Sequence, residues 1–253
     1  MGTSFRSDGA LEGDFLQGLK RQGLRSLWLG AEPLAGGRGT ARKARVGDRI
    51  YLVKRESRGG LASRFLPDRY LMRAPFEREW RITSYLAGRD LAPRILAREY
   101  VRSGPLLSVY SLYEYVPAAV SLADLMRLSP DDVSRVAFAG RGVGLVHRAG
   151  VVHADLNAGN VLLTGSGSVL LIDFRHSVHS ETTLTAGRRR KNLDRLARSL
   201  HKIRLLGGLT WDTPPWNALA DGYAEGWGSR DAWLPDWVLG SEEPPSRLRR
   251  LAW

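Results

Sequence analysis

The stretch Val151-Val152-His153-Ala154-Asp155-Leu156-Asn157-Ala158-Gly159-Asn160, followed by Leu170-Leu171-Ile172-Asp173-Phe174, decides the reading of this chain. Two carboxylates and one carboxamide sit on two short apolar frames. Taken singly, each is ordinary turn or strand-end chemistry, since Asp and Asn favour such places. Residue type, spacing, order and apolar flanks together point instead to phosphoryl transfer. That chemistry needs an acid to hold the acceptor hydroxyl and oxygen ligands to hold Mg2+ on the phosphates.

His153, Asp155 and Asn160 fit the H-x-D-L-x-x-x-N catalytic loop of kinases, and Asp173-Phe174 fits the first two letters of D-F-G. In such a site Asp155 accepts a hydrogen bond from the acceptor hydroxyl and takes its proton late in the transfer. Asn160 and Asp173 coordinate Mg2+, which screens the phosphate charge. His153 is expected to support the loop, and Asn157 to orient the γ-phosphate or the acceptor.

Upstream, residues 33–55 read as two strands joined by the turn Gly36-Gly37-Arg38-Gly39-Thr40, with Ile50-Tyr51-Leu52-Val53-Lys54 as the second strand. Glycines let backbone N–H groups approach phosphate oxygens closely. The turn does not complete G-x-G-x-x-G, and its weight comes from preceding a strand that ends in lysine. Gly36, Gly37, Gly39, Thr40 and Lys54 are the expected phosphate-holding groups of ATP. Phe76, Trp80, Thr83 and Ala87 recur at intervals of four, three and four, which predicts a helix over 74–88. Glu79, with Glu77 second, is the expected partner of Lys54. Leu106 through Pro117 reads as a strand and hinge, with the backbone near Glu114 and Val116 facing an adenine edge.

A short helix is expected around Leu11–Leu19. Ser129-Pro130-Asp131-Asp132 reads as a helix start with Ser129 as N-cap, and the helix runs to about Arg148, with Gly150 in a left-handed cap. Residues 191–206 predict another helix, with Leu193, Leu196, Ala197, Leu200 and Ile203 on one stripe and Arg195, Arg198 and Lys202 on another face. Arg188-Arg189-Arg190-Lys191 precedes it as the densest positive patch, an anchor for an acidic substrate or anionic lipid. Trp211, Trp216, Trp227, Trp233, Trp237 and Trp253 crowd the last part, where core packing is favoured over a membrane interface.

The 253 residues allow one large domain or two small lobes. A net charge of +12 draws polyanions, among them nucleotides and anionic lipid. No zinc-finger or aromatic RNA-binding motif is present, so nucleic acid is not expected. The chain has no cysteine, which excludes disulfides and thiol catalysis and fits a reducing compartment. Its five histidines are scattered, against a structural zinc site. No apolar run is long enough to span a bilayer. Asp8, Glu12 and Asp14 interrupt any signal-peptide pattern, and Arg6 stands where a myristoylation signal has Ser or Thr.

From Gly36 to about residue 205 the chain resembles the lipopolysaccharide core kinases, and among them those acting on 3-deoxy-D-manno-octulosonic acid (Kdo). The segments carrying the resemblance include Gly37-Arg38-Gly39-Thr40, Ser57-Arg58-Gly59-Gly60-Leu61, Asp68-Arg69-Tyr70-Leu71, Phe76 through Leu86 and Leu91-Ala92-Pro93-Arg94-Ile95. Further on they include Pro117 through Leu125, His153 through Leu163, Leu171 through Phe174 and Asn192 through Leu200, with His-Ala-Asp-Leu-Asn-Ala-x-Asn the most specific.

The resemblance implies an α+β, protein-kinase-like two-lobe fold: a small antiparallel β lobe over 1–116 and a larger helical lobe over 117–253. It implies ATP and Mg2+ as cofactors and a Kdo hydroxyl of a lipid A precursor as acceptor. The work would be done peripherally at the cytoplasmic face of a Gram-negative inner membrane, approached through Arg188, Arg189, Arg190 and Lys191. The chain departs from the family after Phe174, where Arg175-His176-Ser177 stands in place of a further acid. Ala154 replaces the arginine of H-R-D and A-P-E is absent, against activation-loop control and against a protein substrate. A heptose, aminoglycoside or protein kinase of the same fold, and a non-catalytic pseudokinase binding anionic lipid, are the alternative readings.

Overall fold

The computed structural model describes residues 2–9, 11, 13–34, 40–57, 68–129, 132–208 and 215–229. The expected glycine turn at 36–39, Pro130, Asp131, Trp211, Trp233, Trp237 and Trp253 lie outside them; Thr40 lies inside. The architecture is α+β, in two compact units: 1–80 with 93–115, and 81–92 with 116–253.

The first unit is built on a six-stranded antiparallel sheet ordered β1-β5-β6-β4-β3-β2. Its strands are β1 (Thr3–Ser7), β2 (Glu32–Pro33), β3 (Ala41–Val46), β4 (Arg49–Arg55), β5 (Ile95–Ser103) and β6 (Leu106–Glu114). Residues in a strand alternate between the two faces of the sheet. One face carries Ala44, Tyr51, Val53, Ala97, Tyr110 and Leu112, which form a core with Leu19, Leu24 and Trp28 of α1 (Gly13–Gly30). The other carries Tyr100, Leu107 and Val109, which pack on Phe76 of α2 (Ala74–Ala87). β6 is covered on both faces, so it reads as an apolar run rather than an alternation.

The helix expected at 11–19 runs further, to Gly30, with a break at Gly23 (φ 79°). Glu99 from β5 accepts the N–H of Arg25 at 2.9 Å there and caps the second segment. Strands β2 and β3 pair antiparallel, and β3 pairs with β4 in register from Ala41↔Lys54 to Val46↔Arg49.

The second unit is mainly helical: α3 (Leu122–Leu128), α4 (Val133–Arg148), α5 (Ala186–Gly207) and α6 (Trp216–Trp227). Its core joins Leu122, Met126, Val136, Val143, Val161, Phe174, Leu193, Leu196, Leu200 and Leu219, with Trp216 and Trp227 packed against it. Short strands β7 (Val120–Ser121), β9 (Val161–Leu163) and β10 (Val169–Leu171) form one ribbon; β8 (Val151–Val152) and β11 (Val178–His179) form another.

Two expected boundaries are corrected. The N-cap of α4 is Asp132, whose carboxylate accepts the N–H of Arg135; Ser129 instead closes α3 through its N–H to Leu125 O. Helix α5 begins at Ala186, so Arg188–Lys191 lie inside it rather than before it.

Helices α4 and α6 meet along glycines. A Cβ at Gly140 would lie 2.3 Å from Leu219 O, and one at Gly222 1.9 Å from Ala137 O. Gly144 and Gly226 repeat the pattern one turn on, so the two backbones touch directly. This close approach brings Tyr223 of α6 to His147 of α4, with the phenol oxygen 2.8 Å from Nδ1.

Candidate active site

The loop between β8 and β9 is held from beneath. Gly150, at φ 78°, turns the chain out of α4 and gives its N–H to His147 O at 2.9 Å. His153 is fully buried. Its Nδ1 accepts the N–H of Asp155 at 3.2 Å, so the proton sits on Nε2 and is donated to Ile172 O at 2.8 Å. Burial lowers its pKa despite Asp155 and Asp173 nearby, and the ring stays neutral. His153 is thus a strut between the loop and the strand end that carries Asp173.

Asn157 holds the same loop from within. Its Oδ1 accepts the N–H of Gly159 at 2.9 Å, and its Nδ2 donates to Asp155 O at 3.1 Å. Both polar ends hold the turn, so it shapes the loop. Asn160 also donates through Nδ2 to Asp155 O, at 2.9 Å, which leaves Oδ1 as the atom that could hold a metal. Ile172 gives its N–H to Asn160 O at 3.1 Å. Ile172 therefore ties Asp173 to His153 and to Asn160 at once.

The carboxylates of Asp155 and Asp173 are exposed, and neither accepts a hydrogen bond among the described residues. Asp173 has φ 70°, a left-handed conformation that non-glycine residues adopt at a cost. The structure thus brings His153, Asp155, Asn157 and Asn160 into one hydrogen-bonded unit, to which Ile172 joins the neighbouring Asp173. Hard oxygen donors from Asn160 and Asp173 fit Mg2+, which keeps its remaining positions for water and phosphate.

Several supports were not read from the sequence. Asn192 of α5 accepts the N–H of His153 at 3.0 Å and donates to its carbonyl at 2.6 Å. The same Oδ1 lies 3.0 Å from His147 Nε2. Ser177 accepts the N–H of Ala154 at 3.1 Å, and Ser199 accepts that of Ala158 at 3.0 Å. Ser177 gives the divergent Arg175-His176-Ser177 a purpose, because its hydroxyl straps the loop. His147 has its pKa pushed down to about 4, chiefly by burial.

In the first unit, Lys54 near the end of β4 and Glu56 just past it stand two residues apart, on one face. Lys54 Nζ lies 3.4 Å from Glu56, which is fully buried and accepts the hydroxyl of Ser111 at 2.9 Å. Glu79, expected to pair with Lys54, forms its ion pair with Arg98 at 2.9 Å, and Arg98 stands 4.0 Å from Glu56. Burial disfavours the Arg98 charge, but Glu79, Tyr113 and Glu56 around it outweigh burial and raise its pKa. Glu77, the second choice, pairs with Arg6 and accepts the Tyr100 hydroxyl at 2.6 Å. In the sequence, Glu56 is marked only as the i+2 neighbour of Lys54.

Glu114 gives its N–H to Arg94 O at 3.0 Å, and Val116 opens the second unit. Arg189 is corrected as a surface anchor: it is buried, with its guanidinium 4.1 Å from the centre of the Trp227 ring. Arg188, Arg190 and Lys191 are exposed.

A strutted H-x-D-x-N-x-x-N loop beside a left-handed aspartate defines a phosphotransferase of the kinase class. The model described as the lipopolysaccharide kinase (Kdo/WaaP) family matches residues 33–223, and the chain belongs to that family. It is 37% identical over 183 residues to a protein named 3-deoxy-D-manno-octulosonic acid kinase from Stenotrophomonas maltophilia (strain R551-3), covering 67% of this chain and 69% of that one. Proteins of the same name from Xanthomonas euvesicatoria pv. vesicatoria (strain 85-10) and Xylella fastidiosa (strain M23) are 37% and 36% identical. The first match covers 67% of this chain and 69% of the relative, the second 70% and 73%.

Proposed function

We propose that the chain transfers the γ-phosphate of ATP to a hydroxyl of a Kdo residue on a lipid A precursor, in lipopolysaccharide core synthesis. The observation that carries this reading is the loop held by His153, Asn157 and Asn192, which leaves the Asp155 carboxylate open to an acceptor hydroxyl. The names of the relatives support Kdo as the acceptor.

Asp155 accepts the hydrogen bond of the sugar hydroxyl, orients its oxygen for attack and receives its proton. Asn160 Oδ1 and Asp173 would hold Mg2+, which would screen the charge on the phosphates. Lys54 neutralises phosphate oxygens, aided by Gly36, Gly37, Gly39 and Thr40. Glu56, with Arg98 behind it, fixes the ammonium of Lys54 in place. A base edge finds its backbone donor at Val116, because the N–H of Glu114 is already engaged. Work on such an acceptor places the protein at the anionic inner surface of a Gram-negative membrane, and the described residues contain no helix long and apolar enough to cross one.

The test is to incubate the protein with Mg-ATP and Kdo-terminated lipid A and follow the mass of the glycolipid. One added phosphate is expected, absent with Asp155→Ala although that variant stays folded and binds Mg-ATP. Turnover by Asp155→Ala near that of the parent would sink the proposed role, and phosphorylation of a heptose or aminoglycoside in preference to Kdo would move the acceptor elsewhere.

A further inference from the structure

Helix α5 carries more charge than the catalytic unit uses. Arg188, Lys191, Arg195, Arg198 and Lys202 recur at intervals of three, four, three and four, and Leu205 and Leu206 continue the series. Intervals of three and four keep side chains on one helical face. Arg188, Lys191, Arg195 and Lys202 are exposed, and Arg198 is half-exposed beside Asp194, 3.1 Å away. Leu205 and Leu206 are 52% and 70% exposed, although a leucine pair is ordinarily buried. Leu193, Leu196, Leu200 and Ile203 cover the opposite side of the helix, inside the core. The result is a straight cationic stripe about 27 Å long, one charge per turn, with an apolar end.

The same helix holds the catalytic loop. Asn192 and Ser199 bond to His153 and Ala158 along the edge next to the stripe. Arg195 is close enough that its charge acts on His153. A flat surface meeting the stripe would therefore be met by the helix that fixes the position of Asp155.

We infer that this face of α5, from Arg188 to Leu206, docks on an anionic phospholipid bilayer and sets the Asp155 loop at the level of the headgroups. Charge complementarity selects an anionic surface, and the leucine pair selects lipid over nucleic acid, which offers it no apolar partner. The choice of a membrane rests on reading the acceptor as a glycolipid. Arg189, buried against Trp227, takes no part.

The experiment measures binding to phosphatidylcholine vesicles with and without phosphatidylglycerol, over a range of salt. The parent should bind only the anionic vesicles and release as salt rises. Each cation near such a surface is worth about fivefold in affinity, so Arg188→Gln/Lys191→Gln/Lys202→Gln should weaken binding on the order of 100-fold, with thermal unfolding unchanged. Leu205→Ser/Leu206→Ser should remove the part of the binding that survives high salt. Parental affinity in the triple variant, or equal binding to neutral vesicles, overturns the inference. So does duplex DNA bound as tightly as anionic vesicles and lost equally in the triple variant. The triple variant should phosphorylate a water-soluble, deacylated Kdo acceptor like the parent and lose rate only on vesicle-borne acceptor. Should neither protein phosphorylate any Kdo acceptor while the vesicle result holds, the acceptor reading fails and the docking surface stands.

Discussion

Replacing Asn192 by alanine should unlatch the catalytic loop. The side chain serves three buried groups: the His153 N–H at 3.0 Å, the His153 carbonyl at 2.6 Å and His147 Nε2 at 3.0 Å. Each buried polar group left without a partner costs about 1–3 kcal/mol. Water entering the vacated space would recover part of this. A net loss of about 3–5 kcal/mol is expected, a large share of the roughly 5–15 kcal/mol that holds a domain folded. In urea, with a slope of about 2 kcal/mol per molar, the midpoint should fall by about 2 M. Catalysis should suffer separately, because a displacement of about 1 Å at Asp155 can cost on the order of 100-fold in kcat. The assay pairs urea unfolding with steady-state turnover at a temperature where the variant is folded. Asn217→Ala, at an exposed position of α6, serves as control. A midpoint and a kcat for Asn192→Ala indistinguishable from that control would refute the reasoning.

Glu56→Gln keeps an acceptor for the Ser111 hydroxyl but removes the charge beside Lys54 and Arg98; KM for ATP should rise about tenfold with a smaller change in kcat, and an unaltered KM would remove Glu56 from the positioning of Lys54. Stability should depend on pH through His147. Its folded pKa of about 4 lies below the unfolded value near 6.5, so the unfolded chain binds more protons between them. The contribution is complete above about pH 6.5 and is lost as pH falls towards about 4, on the order of 3 kcal/mol in all. His147→Gln should flatten that part of the curve of urea midpoint against pH, and parallel curves would contradict the assignment. Gly222→Ala forces a methyl against Ala137 O and should cost about 3 kcal/mol or more in thermal unfolding, whereas Gly187→Ala, with open space around it, should be near neutral.

The loop from His153 to Asn160 was readable because its residues are contiguous and their spacing carries the chemistry. What supports the loop was not, because the partners are far apart in the chain. Asn192 follows His153 by 39 residues, and Tyr223 follows His147 by 76. Nothing local marks such residues; each looks like a polar position on an amphipathic helix. The ion pairs that Lys54 and Glu79 make with Glu56 and Arg98 were hidden for a related reason. The kinase pattern offers a helical glutamate, and Glu79 is one, but Arg98 from β5 stands beside it in the fold. That strand was not anticipated, since its run from Ile95 to Tyr100 is buried on both faces and shows no alternation. The start of α4 was misread because Ser129 and Asp132 are both good caps; only the end of α3 at Leu128 assigns Ser129 to the preceding helix. The Arg188–Lys191 run concealed the start of α5, since arginine and lysine suit helix interiors as well as surfaces.

The left-handed backbone of Asp173 has a bearing on how this protein can vary. Among residues with a Cβ, Asp and Asn enter that conformation most readily. With Asp173 in its proposed role as a metal ligand, local geometry and ligand chemistry select the same short side chain, and a glutamate of equal charge would meet resistance from the main chain. Loss of activity on truncating residue 173 mixes two injuries, a missing oxygen and a displaced peptide. Asparagine leaves the peptide in place and changes only the charge. Along a lineage, the same asymmetry makes Asp to Asn the easiest step by which a family member could fall silent while keeping its shape.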